Sequence, residues 1–350
     1  MYLNSKIDCA IEPVLKAIAD SLIPGAVLGV INADGKYAVR ACGHAQTVPE
    51  KRAMCTDTWF DLASLTKVIF TTPRIIDHHV KGNLALDEPL ISVLPDLHQY
   101  HSDSWIRQTT FAQCLSHQTN FPAVEPIYTY GTNSSLLRAF VLQRNWAYGP
   151  CVYSDINFIL LGIALERLEA RRIRDMTVAE GLSFYADPQL SAATEWCTWR
   201  ERYLCGEVHD ENCHALQGAG HAGLFGTASG VLAHAHSLLN SNSNSNSNSN
   251  SNSNTKDNTN AHSTATIDYM RTRVSADRTY GWECKHDGWS GGFACSDETI
   301  GHTGFTGTGL WVDFSAGVAW TLLTNRIHPT RHAETGIAQL RRDVGVLMVC

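Results

Sequence analysis

A serine and a lysine three residues apart are the first pair in this sequence that could do covalent chemistry. Ser64 and Lys67 lie in an apolar segment between Phe60 and Phe70, and residues three apart share one face of a helix. A serine hydroxyl needs a neighbouring base to attack a carbonyl. A lysine can be that base when burial and a helix N-terminus lower its pKa. The pair suggests a nucleophile and its base, although Ser-x-x-Lys alone is weak evidence and is more often an ordinary helix start with a serine cap.

Two further segments could complete such a site. Tyr153-Ser154-Asp155 comes just before an apolar helical pattern, so that Tyr153 could accept or relay the serine proton and Asp155 could accept a hydrogen bond from Lys67. Alone, this tripeptide is typical of a helix cap. The glycine-rich run from Gly301 to Gly309 leads into a predicted strand and suits an edge that a substrate approaches closely. The order of the three elements matches the Ser-x-x-Lys, Ser-Asp-Asn and Lys-Thr-Gly set of β-lactamases and penicillin-binding proteins.

Together the three elements resemble the serine β-lactamase and penicillin-binding-protein superfamily, in its class C-like branch, over about residues 24–331. Leu115-Ser-His-Gln-Thr-Asn-Phe also resembles a common segment of that branch. Val208-His-Asp-Glu-Asn, Gly220-His-Ala-Gly-Leu-Phe-Gly-Thr-Ala and the glycine-rich run are similar to a subgroup that contains penicillin-binding protein 4B and exo-acting N-acetylmuramoyl-L-alanine amidases.

The resemblance implies a role for each matching residue. Its catalytic residues are Ser64, Lys67, Tyr153 and Asp155. The backbone N–H groups of Ser64 and Phe305 would form the oxyanion hole. The residues expected to contact substrate are His302, Thr303, Gly304, His117 and Arg326.

The expected function is that of a serine hydrolase that forms an acyl-enzyme on an amide, ester or β-lactam bond, with a small molecule or muropeptide as substrate. A peptidoglycan-derived amide is favoured. The alternatives are a class C-like β-lactamase, a D,D-carboxypeptidase or a family VIII-type esterase. Two less favoured alternatives are a zinc hydrolase and a penicillin-binding sensor without turnover. His302 replaces the lysine of classical members, and a histidine is mostly neutral at pH 7. We therefore expect poor penicillin hydrolysis, unless Arg326 supplies the missing charge.

Metal and cofactor chemistry is not predicted. His209, His214 and His221, with Cys205 and Cys213 nearby, match no standard zinc spacing. We therefore expect neither a metal ion nor a cofactor.

Composition narrows the class of partner. The 350 residues carry a net charge of −7, and their basic residues are scattered, so nucleic acid is not an expected partner. No run approaches the roughly 20 apolar residues of a membrane span. The N-terminus lacks a signal-peptide pattern, so we expect a cytoplasmic protein, or a periplasmic one if a leader has been removed.

The elements that must position these residues form an α+β pattern. Apolar runs around Asp34-Gly35 predict a hairpin of 25–31 with 36–42, and 280–285, 309–314 and 318–326 predict further strands before a closing helix from about Arg331. Residues 71–239 are mostly helical in pattern. We expect a β-lactamase/transpeptidase-like fold, an antiparallel sheet flanked by helices. Its predicted parts are a sheet domain (1–70 plus 267–350), a mainly helical inserted subdomain (71–239) and a disordered Asn/Ser-rich insert (240–266).

Overall fold

The computed structural model of the protein describes residues 2–240 and 262–350, so most of the predicted Asn/Ser insert lies outside the described residues. The described strands are β1 (Gly25–Asn32), β2 (Tyr37–Gln46), β3 (Arg52–Ala53), β4 (Phe60–Asp61), β5 (Leu182–Ser183), β6 (Ala193–Cys197), β7 (Arg202–Cys205), β8 (Phe225–Gly226), β9 (Glu283–Cys284), β10 (Ile300–Thr303), β11 (Thr308–Asp313) and β12 (Val318–Thr324). The described α-helices are α1 (Tyr2–Ala10), α2 (Glu12–Ala19), α3 (Thr72–Val80), α4 (Trp105–Gln108), α5 (Phe111–Leu115), α6 (Ser134–Gln143), α7 (Asp155–Leu168), α8 (Glu211–Leu216), α9 (Ala228–Leu239), α10 (Thr264–Arg271) and α11 (Ile337–Val349).

The main sheet joins the two ends of the chain. Its seven strands run in the order β3-β2-β1-β12-β11-β10-β9, and neighbouring strands pair antiparallel throughout. The central strands β1 and β12 are buried almost along their whole length because helices cover both faces: α1, α2 and α11 on one side and α9 on the other. Burial on both faces explains why β1 is a continuous apolar run instead of an alternating one. The predicted α+β class and antiparallel sheet are confirmed.

Some predicted boundaries were wrong. The strand expected over 280–285 is only Glu283–Cys284, and the last helix begins at Ile337, not near Arg331. Arg331 is held outside the helix because its backbone N–H donates to Glu195 Oε2 at 2.8 Å. The predicted helical middle also contains strands, including the antiparallel pair β6–β7.

The predicted division into a sheet domain and a helical subdomain stays a prediction. One contact bears on it: α9 packs directly on β1 and β12, so the sheet layer includes residues from within 71–239. Gly29 permits this approach, since a Cβ there would lie 2.8 Å from Leu232 Cδ1 of α9. Among the helices of residues 2–240 and 262–350, we find none with the length and apolar character needed to cross a bilayer.

Candidate active site

Ser64 lies on a sharp turn between strand β4 and a helix. Ala63, just before it, has a φ of 47°, a left-handed conformation that a non-glycine residue rarely adopts and that concentrates at functional sites. The turn is held by Asp61, whose Oδ1 accepts the Ala63 N–H at 2.8 Å and whose Oδ2 accepts the His209 N–H at 2.6 Å. The buried Asp61 carboxyl therefore fixes the strained backbone that presents Ser64.

Lys67 meets Ser64 one helical turn later. Lys67 Nζ donates to Ser64 Oγ at 2.8 Å and to the His221 carbonyl at 3.2 Å, and it lies 2.8 Å from Asp155 Oδ1. The lysine side chain is fully buried. Residues 67–71 form a π-helical turn, a rare departure from α-helix geometry that is common at functional sites. The predicted contact of Lys67 with both Ser64 and Asp155 is present.

The charge state of Lys67 differs from the sequence-based expectation. Burial by itself lowers the pKa of Lys67, but the Asp155 carboxylate and the neighbouring Tyr153 hydroxyl outweigh it and raise the pKa above the ordinary value. The expected fall in pKa was therefore wrong, because it considered the apolar neighbours of Lys67 in the chain and not the carboxylate that the fold brings to it. These contacts therefore favour the ammonium form of Lys67.

Tyr153 and Asp155 are positioned by the start of helix α7. Ser154 is the N-cap: its Oγ accepts the Ile156 N–H at 3.2 Å and donates to the Pro122 carbonyl at 2.6 Å. This cap leaves Asp155 in the first turn, facing Lys67, and Tyr153 just outside the helix, where its ring centroid is 5.1 Å from Lys67 Nζ. The residue that caps the helix, Ser154, therefore lies between the two predicted catalytic residues and sets where each of them points.

His117 lies behind Tyr153. Its ring is 4.2 Å from the Tyr153 ring, centroid to centroid, and its Nδ1 accepts the Ser154 N–H at 3.1 Å. The side chain is buried. These contacts fit a residue that positions Tyr153, and the predicted contact of His117 with substrate stays a prediction.

The strand β10 and the loop after it are bound to the Ser64 turn. Thr306 Oγ1 donates to the Asp61 carbonyl at 2.7 Å and Thr308 Oγ1 to the Leu62 carbonyl at 3.0 Å. Gly304 has to be glycine, because a Cβ there would lie 2.6 Å from the Leu62 carbonyl oxygen. Within residues 2–240 and 262–350, no acceptor binds the backbone N–H of Ser64 or of Phe305. Two free N–H donors on neighbouring segments suit the predicted oxyanion hole.

His302 is a neutral, buried histidine. Its Nδ1 lies 2.9 Å from the Thr303 carbonyl, an acceptor, so Nδ1 carries the proton and Nε2 is left with a lone pair. Nε2 is buried and finds no hydrogen-bond partner in the part of the chain that the structure describes. Burial, and then the positive charges of Lys67 and Arg278, lower the pKa of His302 well below its usual range. The strand thus offers no permanent charge at this position.

Arg326 contacts the loop that contains Phe305. Its Nε donates to the Phe305 carbonyl at 3.0 Å, and its guanidinium carbon is 5.0 Å from the Phe305 ring centroid. The Phe305 ring itself is 47% exposed and stacks on His209. Arg326 therefore stabilises the loop that carries the predicted oxyanion donor Phe305, and its predicted contact with substrate stays a prediction.

Three residues that lie close to Lys67 or Tyr153 were given no role in this site by the sequence reasoning: Asp210, His221 and Arg278. His221 Nε2 lies 2.9 Å from Asp210 Oδ1, and the backbone carbonyl of His221 binds Lys67. Arg278 lies over Tyr153, with its guanidinium carbon 5.4 Å from the ring centroid. Asp210 and His221 occur in two of the phrases that carried the family resemblance, so a signal was present. Arg278 lies in none of the motifs.

The histidines considered for a metal site do not converge. Each has its own carboxylate partner, in the pairs His209–Glu195, His214–Glu207 and His221–Asp210. The ligand atoms of Asp155, Asp210 and His221 do lie within 4.8 Å of one another. A cation there would compete with the Lys67 ammonium, which already contacts Asp155 and supplies the positive charge that this group needs.

The fold and this arrangement define a β-lactamase-type hydrolase, and comparison with known proteins agrees. The family model described as Beta-lactamase matches residues 12–343, and the chain belongs to that family. It is 27% identical to an N-acetylmuramyl-L-alanine amidase of Bacillus subtilis (strain 168), over 87% of this chain and 78% of that protein. It is 25% identical to a putative D-alanyl-D-alanine carboxypeptidase of Escherichia coli (strain K12), over 78% of this chain and 70% of that protein.

Among solved structures, a class C β-lactamase shares the fold, with a TM-score of 0.71, 15% sequence identity and 98% of both chains covered. The predicted resemblance to the β-lactamase and penicillin-binding-protein superfamily is confirmed, and the protein is a hydrolase of that superfamily.

Proposed function

We propose that the protein cleaves an amide bond in a small peptidoglycan-derived substrate through an acyl-enzyme on Ser64. The observation that carries this proposal is the 2.8 Å contact of Lys67 Nζ with Ser64 Oγ. Beside it are the backbone N–H groups of Ser64 and Phe305, which no acceptor binds in the part of the chain that the structure describes. The names of the two curated relatives, an amidase and a carboxypeptidase, support a peptidoglycan amide as the substrate.

Each residue of the proposed site has a separate role in the reaction. Lys67, in its neutral form, takes the proton of Ser64 as Oγ bonds to the substrate carbonyl carbon, and the N–H groups of Ser64 and Phe305 stabilise the oxyanion. Lys67 or Tyr153 then protonates the leaving amine as the C–N bond breaks, and water releases the acyl group from Ser64. Asp155 holds Lys67 in place but favours its ammonium form, so it limits the fraction of lysine able to act as a base.

The test is acylation followed by intact mass. A neutral fluorophosphonate probe should label the wild type and not Ser64→Ala, whereas Ser102→Ala, which removes an exposed loop serine, should label normally. Lys67→Ala should slow labelling by about 100-fold, the scale of lost general-base catalysis. Normal labelling of Ser64→Ala would overturn the proposal.

The alternative activities are separated by a substrate panel. The panel tests the amidase, carboxypeptidase, β-lactamase and esterase activities with, in that order, an N-acetylmuramoyl-L-alanine amide, a D-alanyl-D-alanine peptide, a penicillin and a short ester. A zinc hydrolase would lose activity to a chelator and keep it in Ser64→Ala. A sensor would hold the penicillin as a lasting adduct on Ser64 and release no product. We expect the muramoyl amide to turn over fastest, in a Ser64-dependent and chelator-resistant reaction.

A further inference from the structure

His209 is fixed to the turn that presents Ser64. Its backbone N–H donates to Asp61 Oδ2 at 2.6 Å, and the other oxygen of Asp61 accepts the N–H of Ala63, the residue before Ser64. On the other side, the His209 carbonyl accepts a hydrogen bond from Arg200 Nη2 at 2.7 Å. Both polar groups of the His209 backbone are therefore held, so its side chain starts from a fixed point relative to the nucleophile.

The His209 ring packs on Phe305, the predicted second oxyanion donor. The two rings stack with their centroids 5.5 Å apart and with an angle of 22° between their planes. Phe305 is exposed to solvent, whereas His209 is buried. Aromatic rings in offset stacking attract each other, so the buried histidine supports a side chain that would otherwise be free to move with its loop.

A buried carboxylate fixes the orientation of the His209 ring. His209 Nε2 lies 2.8 Å from Glu195 Oε1, an acceptor, so Nε2 carries the proton. Glu195 is held in turn by Arg331, whose Nε and backbone N–H both donate to it. Because His209 and Glu195 are both buried, the ring cannot turn away from Phe305 without losing a buried hydrogen bond.

His209 thus joins the two segments that carry the predicted oxyanion donors. The N–H groups of Ser64 and Phe305 lie on different segments, so contacts between those segments must set their separation. Thr306 and Thr308 bind the chain after Phe305 to the Ser64 turn through their hydroxyl groups. Among the aromatic rings of residues 2–240 and 262–350, that of His209 is the one in contact with the Phe305 ring.

We propose that His209 is a positioning residue for the oxyanion hole. Its ring, oriented by Glu195, holds Phe305 so that the N–H groups of Phe305 and Ser64 point at the same oxygen. The inference rests on the proposed function, because it gives His209 a role in a reaction that passes through an oxyanion. In this role His209 contacts neither the substrate nor Ser64 Oγ, and it acts through Phe305.

The test compares labelling of Ser64 by the neutral fluorophosphonate with labelling by its thio analogue, in which sulfur replaces the phosphoryl oxygen. Oxygen accepts hydrogen bonds well and sulfur accepts them weakly. The ratio of the two labelling rates therefore reports on the oxyanion donors. A variant that only folds less well would lose both rates in proportion and keep the ratio.

Two substitutions of His209 separate its ring from its hydrogen bond. His209→Gln keeps a donor for Glu195 but lacks the ring. It should slow labelling by the oxygen probe by about tenfold, a part of the ~100-fold effect of losing a whole donor, and it should lower the oxygen-to-sulfur ratio. His209→Phe keeps a ring against Phe305 and should restore most of both. The matched control is His214→Gln, which removes another imidazole paired with a carboxylate, Glu207, and should change neither.

A double variant shows whether His209 acts through Phe305. Phe305→Ala removes the ring and keeps the backbone N–H, so it should also slow the oxygen probe and lower the ratio. Two residues that act through one contact are not additive. The combination of Phe305→Ala with His209→Gln should therefore label no more slowly than Phe305→Ala alone.

The possible outcomes separate this inference from the proposed function. An unchanged ratio in His209→Gln or in Phe305→Ala, or fully additive losses in the double variant, would overturn the positioning role of His209. Because Phe305 is exposed, Phe305→Ala keeps the comparison decisive even if His209→Gln does not fold. Failure of the wild type to be labelled at Ser64 would instead overturn the proposed function.

Discussion

Replacing Asp155 by asparagine removes the negative charge next to Lys67 and keeps nearly the same side-chain shape. The two charges are 2.8 Å apart, with the lysine fully buried and the aspartate 23% exposed. At an effective dielectric constant of about 20, two unit charges at this distance attract by about 6 kcal/mol. The new amide would still accept a hydrogen bond and solvent would relax around it. We therefore expect the free energy by which the site favours the ammonium form of Lys67 to fall by only about 2 kcal/mol of that attraction.

The expected result is a displaced pH–rate profile. Because the pKa of Lys67 is raised, log kcat/KM of the wild type should still be rising with pH at the alkaline end of the accessible range. A loss of about 2 kcal/mol moves this rising limb by about 1.5 pH units toward acid, since one unit corresponds to 1.36 kcal/mol. At a fixed pH within the rising part of the profile, Asp155→Asn would therefore contain about 30-fold more neutral Lys67 than the wild type.

The assay is the rate of Ser64 acylation by the neutral fluorophosphonate between pH 5 and 10, with protein integrity followed by circular dichroism. Asp57→Asn, which neutralises an exposed carboxyl group, should leave the limb where it is. A limb that stays in place in Asp155→Asn would refute the reasoning. Lys67 would then not be the group whose deprotonation permits acylation, and Tyr153, whose ring lies 5.1 Å from Lys67 Nζ, would be the remaining candidate for the proton acceptor.

Two further predictions concern the loop with the predicted oxyanion donor Phe305 and a buried ion-pair network. Gly304→Ala places a Cβ 2.6 Å from the Leu62 carbonyl oxygen, so the loop must shift, and labelling of Ser64 should slow by about 100-fold, the scale of one lost oxyanion donor. The control is Gly149→Ala, whose Cβ would meet nothing closer than 3.6 Å. Equal labelling rates in the two variants would contradict the prediction. Burial raises the pKa of Glu195, but hydrogen bonds from His209 and Arg331 lower it to about 2. This ionised carboxylate should therefore stabilise the fold by about 3 kcal/mol above pH 4.5 and lose that contribution as the pH falls toward 2. The difference in unfolding free energy between the wild type and Glu195→Gln should accordingly narrow from pH 5 to 2, and a constant difference in denaturant titrations would contradict it.

Features encoded by neighbouring residues could be predicted from the sequence. The hairpin β1–β2 follows from two apolar runs around Asp34-Gly35, and its register pairs Ile31 with Tyr37. The serine and lysine of Ser-x-x-Lys meet because they are one helical turn apart, and Ser154 caps the helix that places Asp155. In each case, backbone geometry alone brings the groups together, so the pattern along the chain is sufficient.

Features made by distant segments were decided by the tertiary structure. The pairing of β1 with β12 joins the two ends of the chain, and it sets where β10 and the Phe305 loop meet the Ser64 turn. The pKa of Lys67 rises because Asp155, far away in the sequence, contacts it, whereas its neighbours in the chain are apolar and suggested the opposite. Arg278 lies in no motif, and only the turn before β9 places its charge over Tyr153. A charge acts through space over a few ångströms, so its effect is set by which segments the fold brings together.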